Sequence, residues 1–260
     1  MKIDNSMKFF VGNTSATKIL LGSTLVWPLS LGKNNKITYT STDGNIVTPK
    51  HTDVFGANII SNEYNNGMGV IIFDNDITMI GESAFYDCNT LKSVNIPDSV
   101  TTIGDRAFFY CERLTSVNIP ESVTTIGFQA FDRCIRLTSV TIPDSVTMMG
   151  EQAFRDCWSL TSLTIGNSVT EIGDSAFYYC EKLTSVTIPK SVTMIGASAF
   201  GNSKHLISVD CKPTTPPILG DNMVFNGNNI QLRIFVPVNS VNAYKKAEYW
   251  SDYDIMGRNF

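Results

Sequence analysis

The chain has 260 residues, 43% of them hydrophobic and 17% charged, and is long enough to bury a substantial core. A net charge of −4 disfavours a nucleic-acid partner, because such proteins usually carry a basic face that neutralises phosphates. No stretch approaches the roughly 20 apolar residues of a transmembrane helix, and the polar start shows no signal peptide. We therefore expect no membrane insertion, and either a cytosolic chain, a chain whose leader has been removed, or part of a larger particle.

Residues 1–32 predict a small β module. Residues 9–11, 18–21 and 23–27 are rich in apolar strand-forming residues, and Gly-Asn and Gly-Ser pairs separate them. So short a segment can hardly bury these side chains alone. We therefore expect this module to anchor or oligomerise the protein by docking onto another chain or onto copies of itself.

Residues 33–76 are expected to form connecting strands and an N-terminal cap. The stretch up to residue 70 is rich in Asn, Thr and Gly, which favours loops between short strands. Residues 71–77 align with residues 94–100 and predict the strand half of an incomplete first repeat.

Residues 77–211 consist of six tandem units of 23 residues. Such a fixed period is typical of a solenoid, because one unit cannot cover its own apolar side chains and stacked units can. The three columns that recur without a slip are Gly81, Gly104, Gly127, Gly150, Gly173 and Gly196; Phe85, Phe108, Phe131, Phe154, Phe177 and Phe200; and Leu91, Leu114, Leu137, Leu160, Leu183 and Leu206.

The second unit shows what each position predicts. Val117 and Ile119 alternate with polar residues, as in a strand with one buried face. Pro120 ends that strand because it lacks an N–H group. Elsewhere in the unit, Phe108 and Cys111 lie with an alanine on what is predicted to be the apolar face of a helical turn.

Residues 212–260 are expected to form a C-terminal cap. The 23-residue period breaks after residue 211, a last strand is predicted at residues 232–236, and a short helix at residues 241–247. Tyr249 and Trp250 are expected to cover the open end of the core, since an uncovered solenoid end invites aggregation. The whole pattern predicts an α+β repeat solenoid, a right-handed coil of short strands and short helical turns that is capped at both ends and follows a small β module.

The unit Ile-Gly-x-x-Ala-Phe-x-x-Cys-x-x-Leu-x-x-Val-x-Ile-Pro-x-x-Val resembles the BspA-like leucine-rich repeats, over about residues 70–211. The tail from Val209 to Trp250 resembles the closing segment of Bacteroidetes members, and residues 17–27 resemble a strand module near the start of phage structural proteins and gut-bacterial proteins. The repeat resemblance implies a leucine-rich-repeat coil for recognition or adhesion, with no shared catalytic residues.

Catalysis, a metal and a cofactor are not predicted. The only histidines, His51 and His205, lack partners at the spacing of a metal site or a catalytic triad. Gly67 and Gly69 lack the third glycine and the strand–helix context of a phosphate loop. Carboxylates lie at variable repeat positions, where solvation is their ordinary role. We therefore expect a protein that is not an enzyme.

The cysteines form a column beside the Phe and Leu columns. Free cysteine behaves as a small buried hydrophobe, and adjacent thiols that point the same way have poor geometry for a disulfide. We therefore predict structural thiols rather than a metal site or disulfides. The column comprises Cys88, Cys111, Cys134, Cys157 and Cys180, and Cys211 occupies a strand position that elsewhere holds Ile.

Two surfaces are candidate binding faces. The outward strand positions are mostly small and hydroxylated, which predicts a flat polar face that either is simply solvated or binds glycan. The variable positions on the helical side hold large aromatic residues, which are typical of recognition surfaces, and packing between adjacent turns is the alternative explanation. The candidate partner-binding residues are Tyr86, Phe109, Tyr110, Phe128, Trp158, Tyr178 and Tyr179.

The predicted function is non-enzymatic recognition or adhesion by a rigid repeat surface. We favour a phage virion or tail-fibre-like receptor-binding component, because residues 17–27 resemble a phage module and no leader is visible. The alternative is a secreted or cell-surface adhesin of a Bacteroidetes-type bacterium. The expected partner is a protein or a cell-surface glycan, with self-association through residues 1–32, and the expected location is a virion, the outside of the cell or its surface.

Overall fold

The structure, a computed structural model, describes residues 34–260 with their side chains and the backbone of residues 20–21 and 24–25. The chain divides into two compact units, Met1–Gly32 and Lys33–Phe260.

In the first unit, β1 (Leu20–Leu21) and β2 (Thr24–Leu25) pair antiparallel, with Leu20 opposite Leu25. The two strands on either side of the predicted Gly-Ser turn are therefore paired, and the turn residues themselves lie outside the described residues. The predicted strand at residues 9–11 and the outer ends of the other two predicted strands lie outside the described residues.

The second unit begins with three antiparallel strands, β3 (Lys36–Ser41), β4 (Ile59–Asn65) and β5 (Met68–Phe73). Between β4 and β5, Asn66 and Gly67 have φ angles of 52° and 82°, and a tight turn with two such residues suits the twist of a hairpin. The repeats then start with β6 (Met79–Ile80) and β7 (Leu91–Asn95).

The prediction that residues 71–77 form the strand half of a first repeat is wrong. The strand next to β7 is β3, which runs antiparallel to it with Tyr39 opposite Val94, and β5 lies one strand further away. Residues Ile71 and Phe73 are buried as the alternation predicted. The alternation of apolar and polar residues determines which side chains point inward, but it does not determine which strand lies next to β7. The pairing of β7 with β3 therefore could not be predicted from this pattern.

The repeats build two stacks of parallel strands, one on each of two sides of the coil. The even-numbered strands from β6 to β18 are the shorter ones and form a seven-stranded sheet. In this sheet Ile103 lies beside Ile126, and Ile126 lies beside Met149. The longer strands stack in the same register, with Ser139 beside Ser162. The remaining strands are β8 (Thr102–Ile103), β9 (Ser116–Asn118), β10 (Thr125–Ile126), β11 (Ser139–Thr141), β12 (Met148–Met149), β13 (Ser162–Thr164), β14 (Glu171–Ile172), β15 (Ser185–Ile188), β16 (Met194–Ile195), β17 (Ser208–Cys211), β18 (Ile218–Leu219), β19 (Arg233–Pro237) and β20 (Ile255–Arg258).

The third side of each repeat consists of tight turns where the sequence predicted a helical turn. In the second repeat, Arg106 and Tyr110 have φ angles of 53° and 60°, in the left-handed region. The N–H groups of Arg106, Phe108 and Tyr110 donate to carbonyls of the next repeat at 2.8, 2.7 and 3.0 Å, and those of the residues between them donate within the turn. A helix keeps its hydrogen bonds within itself, so the left-handed residues redirect alternate N–H groups to join neighbouring repeats. The repeat solenoid is as predicted, with turns in place of helices.

The glycine column is required by the close approach of successive turns. A Cβ atom added at Gly150 would lie 2.5 Å from the carbonyl carbon of Gly127, which is closer than real Cβ atoms approach any backbone atom. A side chain at this position would therefore force the two turns apart.

The phenylalanine column is a continuous stack of parallel rings inside the coil. The rings of Phe108 and Phe131, and those of Phe131 and Phe154, lie 5.0 Å apart with interplanar angles of 6° and 5°. At the first end of the column Phe55 meets Phe85 edge-on at 5.9 Å. Each ring in the column is fully buried, so the column forms the centre of the core.

The solenoid continues beyond residue 211, where the sequence analysis ended the repeats. Strand β18 pairs in parallel register with β16, and Phe225 stacks on Phe200 at 5.7 Å. Gly220 follows Gly196 by 24 residues, and Phe225 follows Phe200 by 25. Because of these inserted residues, the seventh coil does not match the 23-residue period and was not predicted.

The C-terminal cap contains the predicted strand and helix and one more strand. The helix α1 (Val241–Lys246) follows a 3₁₀ turn, Val238–Ser240, and a second 3₁₀ turn spans Trp250–Asp252. Trp250 is fully buried and donates from its indole nitrogen to the Pro217 carbonyl at 2.7 Å. Strand β20, which was not predicted, pairs in parallel with β19 and ends the stack.

Candidate recognition surface

The turns present one variable surface, which we call the turn face. We define it as residues 82–89 of the first repeat and their equivalents every 23 residues, without the alanine, phenylalanine and cysteine columns. Its backbone is fixed by the ladder of hydrogen bonds between turns and by the buried phenylalanine beneath it. The side chains it displays therefore stand on a rigid support, which lowers the entropy lost when a surface binds.

Three predicted residues form an aromatic cluster in the first two repeats. The rings of Tyr86 and Phe109 stack at 5.2 Å, and Phe109 meets Tyr110 at 4.6 Å with an interplanar angle of 56°. The Arg133 guanidinium lies 5.0 Å from the centre of the Tyr110 ring, in cation–π range. All three rings are half-buried, so part of their area is used in packing between repeats and part is open.

Phe128 lies apart from this cluster. It contacts Arg106, whose guanidinium lies 5.2 Å from the ring centre and donates from Nε to Gln129 Oε1 at 2.9 Å. Gln129 in turn donates to Gln152 in the next repeat at 2.6 Å. Phe128 is thus part of a separate row of polar contacts along the same face.

The middle of the turn face carries a charge cluster that the sequence analysis missed, made of Asp132, Arg133, Arg155 and Asp156. The Nε atoms of Arg133 and Arg155 each lie 3.6 Å from Asp156 Oδ2. Asp132 is 2% exposed and its Oδ1 atom has no hydrogen-bond partner. Burial raises the pKa of Asp132 to about 7, against the opposing effect of the Arg155 charge. In the sequence these residues resemble ordinary solvated charges. The only signal is that the two repeat positions they occupy hold aromatic residues in the second and fifth repeats and charged residues in the third and fourth.

The remaining predicted residues lie on the C-terminal side of the charge cluster. Trp158 is 47% exposed and donates from its indole nitrogen to Asp156 Oδ1 at 3.3 Å. Tyr178 and Tyr179 meet edge to face at 4.6 Å, and the Tyr178 hydroxyl accepts a hydrogen bond from Asn202 at 2.6 Å. The structure therefore brings five of the predicted aromatic residues into one cluster of three and one pair. Phe128 and Trp158 lie outside both and contact polar residues instead.

The cysteines are unpaired thiols, and those after Cys88 are buried. Each buried thiol of the column donates to the carbonyl of a column phenylalanine one repeat earlier, as Cys111 does to Phe85 at 3.0 Å. Ser203 takes the same place in the sixth repeat and points to the Phe177 carbonyl at 3.5 Å. Cys88 is half-buried, and desolvation raises the pKa of its thiol to about 12. The column therefore satisfies backbone carbonyls beside the aromatic stack.

Many hydroxyl groups of the strand side serve the same purpose. Thr115, Thr138 and Thr161 each donate to the carbonyl of the equivalent residue one repeat earlier, at 3.1 to 3.3 Å. Because these hydroxyls are occupied within the coil, that row of threonines is structural.

In residues 34–260, no three His, Cys, Asp or Glu side chains group in a way that could hold a metal ion. Nor does any helix of that region have the length and apolar character needed to cross a bilayer.

The chain matches the family described as BspA type Leucine rich repeat region in six copies, over residues 58–180 and 101–231. A leucine-rich repeat protein of T. pallidum is similar over 52% of this chain and 63% of its own length, with 33% identity and a TM-score of 0.51. A leucine-rich cell surface protein of Faecalibacterium prausnitzii is similar over 71% of this chain and 55% of its own, with 24% identity and a TM-score of 0.45.

The chain thus spans less than two thirds of both solved proteins. No curated protein matches it. The repeat match, which covers more than half of the residues, agrees with the columns and the coil described above, and the chain therefore belongs to the BspA-type leucine-rich-repeat family.

Proposed function

We propose that the protein is a non-enzymatic recognition protein and that its turn face binds a protein partner. The observation that carries this proposal is the exposure of Trp158, a large aromatic side chain that is 47% exposed at the centre of a backbone held rigid by inter-repeat hydrogen bonds. Trp, Tyr and Arg are the side chains that contribute most at protein interfaces.

The surroundings of Trp158 support a protein rather than a small ligand. Tyr178 and Tyr179 on one side and Tyr110 on the other supply flat apolar area, and Arg133 and Arg155 supply directional donors between them. A surface of this kind, with aromatic anchors around a partly buried charge cluster, suits a partner that offers both apolar side chains and a complementary charge.

Such a surface is equally suited to two biological settings. In one, the protein is a receptor-binding component of a phage virion, and in the other a secreted or cell-surface adhesin of a bacterium. In both, we propose that residues 1–32 anchor or oligomerise the protein while the repeats meet the target. Immunogold labelling of purified virions and of intact bacteria separates the two settings, because only one particle carries the protein.

The test is photo-cross-linking from single sites on the full chain. A photoreactive phenylalanine analogue at position 158 is expected to cross-link one discrete protein on the target cell, and the same analogue at position 141, on the strand side, is not. The cross-link from position 158 should be lost when Tyr178→Ser and Tyr179→Asn are added. Equal cross-linking from both positions, or a product that survives the tyrosine changes, would contradict a binding role for the turn face.

A further inference from the structure

Three unpaired cations lie along the coil where the chain enters the longer strands, with Ser159 at the equivalent position between the second and the third. We call these cations the leading edge, and its members are Arg113, Arg136 and Lys182, each one position before a column leucine. All three are exposed, and none has an ion pair or side-chain hydrogen bond within the described part of the chain. Arg113 and Arg136 lie on successive turns, about 4.8 Å apart at the backbone, so their like charges repel unless an anion lies between them.

The charge of this edge is not neutralised by its neighbours. Lys92 and Lys204 add two more cations, and the carboxylates beside them are Glu112 and Glu181. Glu181 is already paired, with its Oε1 atom 3.2 Å from Lys204 Nζ. Five cations against two carboxylates leave a positive strip on a chain whose net charge is negative.

Next to this strip, the longer strands expose hydroxyl groups that the coil does not use. Ser116, Ser139, Ser162 and Ser185 are exposed and make no side-chain hydrogen bond with any described residue. They differ in this from the threonine row described above, whose hydroxyls donate to backbone carbonyls. A second outward row, Thr141, Thr164 and Thr187, is equally exposed and unpaired among the described residues.

The outward face of the longer strands lacks the groups that other classes of ligand require. Its outward rows on β11, β13 and β15 contain only serine and threonine, so a protein partner finds no apolar anchor there. A single-stranded nucleic acid finds no aromatic ring on which to stack its bases. Rows of hydroxyls beside a row of cations suit a chain that is itself rich in hydroxyls and carries regularly spaced anions.

Among such chains, a polymer of uronic acids matches the spacing. It carries one carboxylate per sugar ring, and the length of a ring along the chain is close to the distance between turns. Arginine and carboxylate groups form short paired hydrogen bonds. The acidic residues Glu121 and Asp144 follow the far end of the strands. The chain from Arg113 to Ile119 alone spans roughly 20 Å at about 3.3 Å per residue, which is beyond the range of unscreened repulsion.

We propose that the leading edge and the adjoining strand hydroxyls bind a linear uronic-acid polysaccharide that lies across successive turns, parallel to the coil axis. Arg113, Arg136 and Lys182 pair with its carboxylates, and the serine row exchanges hydrogen bonds with its hydroxyls. The residues that contact the polysaccharide lie outside the turn face, although they border it, and the site does not depend on the function proposed for that face.

The experiment measures binding of an alginate hexasaccharide to the full chain at low salt. Replacing the leading edge by Arg113→Gln, Arg136→Gln and Lys182→Gln is expected to weaken binding by about tenfold or more, because three charge contacts are lost. A matched control, Lys190→Gln, Lys212→Gln and Lys245→Gln, removes the same charge elsewhere and is expected to change binding by less than about twofold. The pair Ser139→Ala and Ser162→Ala is expected to weaken binding by about threefold with all charges kept.

Three results would overturn the proposal. The first is no binding of alginate by the parent chain, including the case in which only dextran sulfate binds. The second is an equal loss in the leading-edge and control variants, which would indicate diffuse electrostatics. The third is binding of a single-stranded thymidine oligomer as tightly as alginate and with the same dependence on the leading edge. Circular dichroism of each variant, unchanged from the parent, ensures that a loss of binding is not a loss of fold.

Discussion

The protein uses aromatic side chains in two different ways. Inside the coil, seven phenylalanines from Phe85 to Phe225 stack with near-parallel rings and are almost fully buried. On the turn face, the aromatic residues differ from repeat to repeat, and their rings are half-buried or, as in Trp158, exposed.

This difference between the two sets of aromatic residues follows from the environment of each set. A column residue has the same residue above and below it, so one amino acid fits every repeat and any change leaves a cavity or a clash. A turn-face residue meets solvent on one side, and its identity can change without disturbing the stack. Stability is therefore expected to depend on the column, and specificity on the turn face.

The largest effect is expected for Phe154→Ala, in the middle of the column. Its ring packs between Phe131 at 5.0 Å and Phe177 at 5.5 Å, so the change leaves a cavity bounded by two rings. The free energy of unfolding in urea should fall by about 3–5 kcal/mol. Phe154→Leu, which fills most of the space, should lose clearly less. A loss below about 1 kcal/mol for the alanine variant would refute the column as the main source of stability.

The next effect concerns Asp132, a turn-face carboxylate that is only 2% exposed. Burial raises its pKa from 3.8 to about 7, so between these two values the unfolded chain ionises and the folded chain keeps its proton. Stability contributed by the neutral acid should therefore be lost as pH rises from about 4 to about 7. Asp132→Asn cannot ionise and should raise the free energy of unfolding by about 2 kcal/mol at pH 8.

Urea unfolding at pH 5 and pH 8 measures this, with Asp144→Asn as the control at an exposed carboxylate. If Asp132→Asn shows the same difference between the two pH values as the parent chain, Asp132 is ionised in the fold and the Arg155 charge outweighs its burial.

A smaller effect tests the left-handed turns. Ser175 has a φ angle of 53°, a region that β-branched residues strongly avoid and glycine adopts freely. Ser175→Val should therefore lower the free energy of unfolding by about 1–2 kcal/mol, and Ser175→Gly should raise it by about 0.5 kcal/mol. Thermal melts of the two variants against the parent report the difference. The reverse order would mean that this turn relaxes to another conformation.

The interior could be predicted from the sequence because every column repeats one environment. Phe108, Cys111 and Leu114 are buried as their positions indicated. The turns were predicted as helical because both structures place residues at i, i+1 and i+4 on one side. Nothing in Arg106 or Tyr110 signals a left-handed conformation, since neither is a residue that favours it.

Features that interrupt the period were beyond sequence reasoning. The seventh coil was hidden by inserted residues, although Leu219, Gly220 and Phe225 repeat the order of the column residues. On the turn face, the sequence identified the aromatic residues but not their grouping. The burial of Asp132 and the contact of Trp158 with Asp156 depend on side chains in neighbouring repeats, which no periodicity describes.

The most direct test of the division between column and turn face is the urea unfolding of the double variant Trp158→Lys and Tyr179→Asn. Both replacements already occur at the equivalent positions of a later repeat, as Lys204 and Asn202, and Asn202 has the same left-handed backbone with a φ angle of 56°. The free energy of unfolding should stay within about 1 kcal/mol of the parent, as for surface substitutions. A loss comparable to that of Phe154→Ala would show that the turn-face rings hold the repeats together, and would contradict their assignment to recognition.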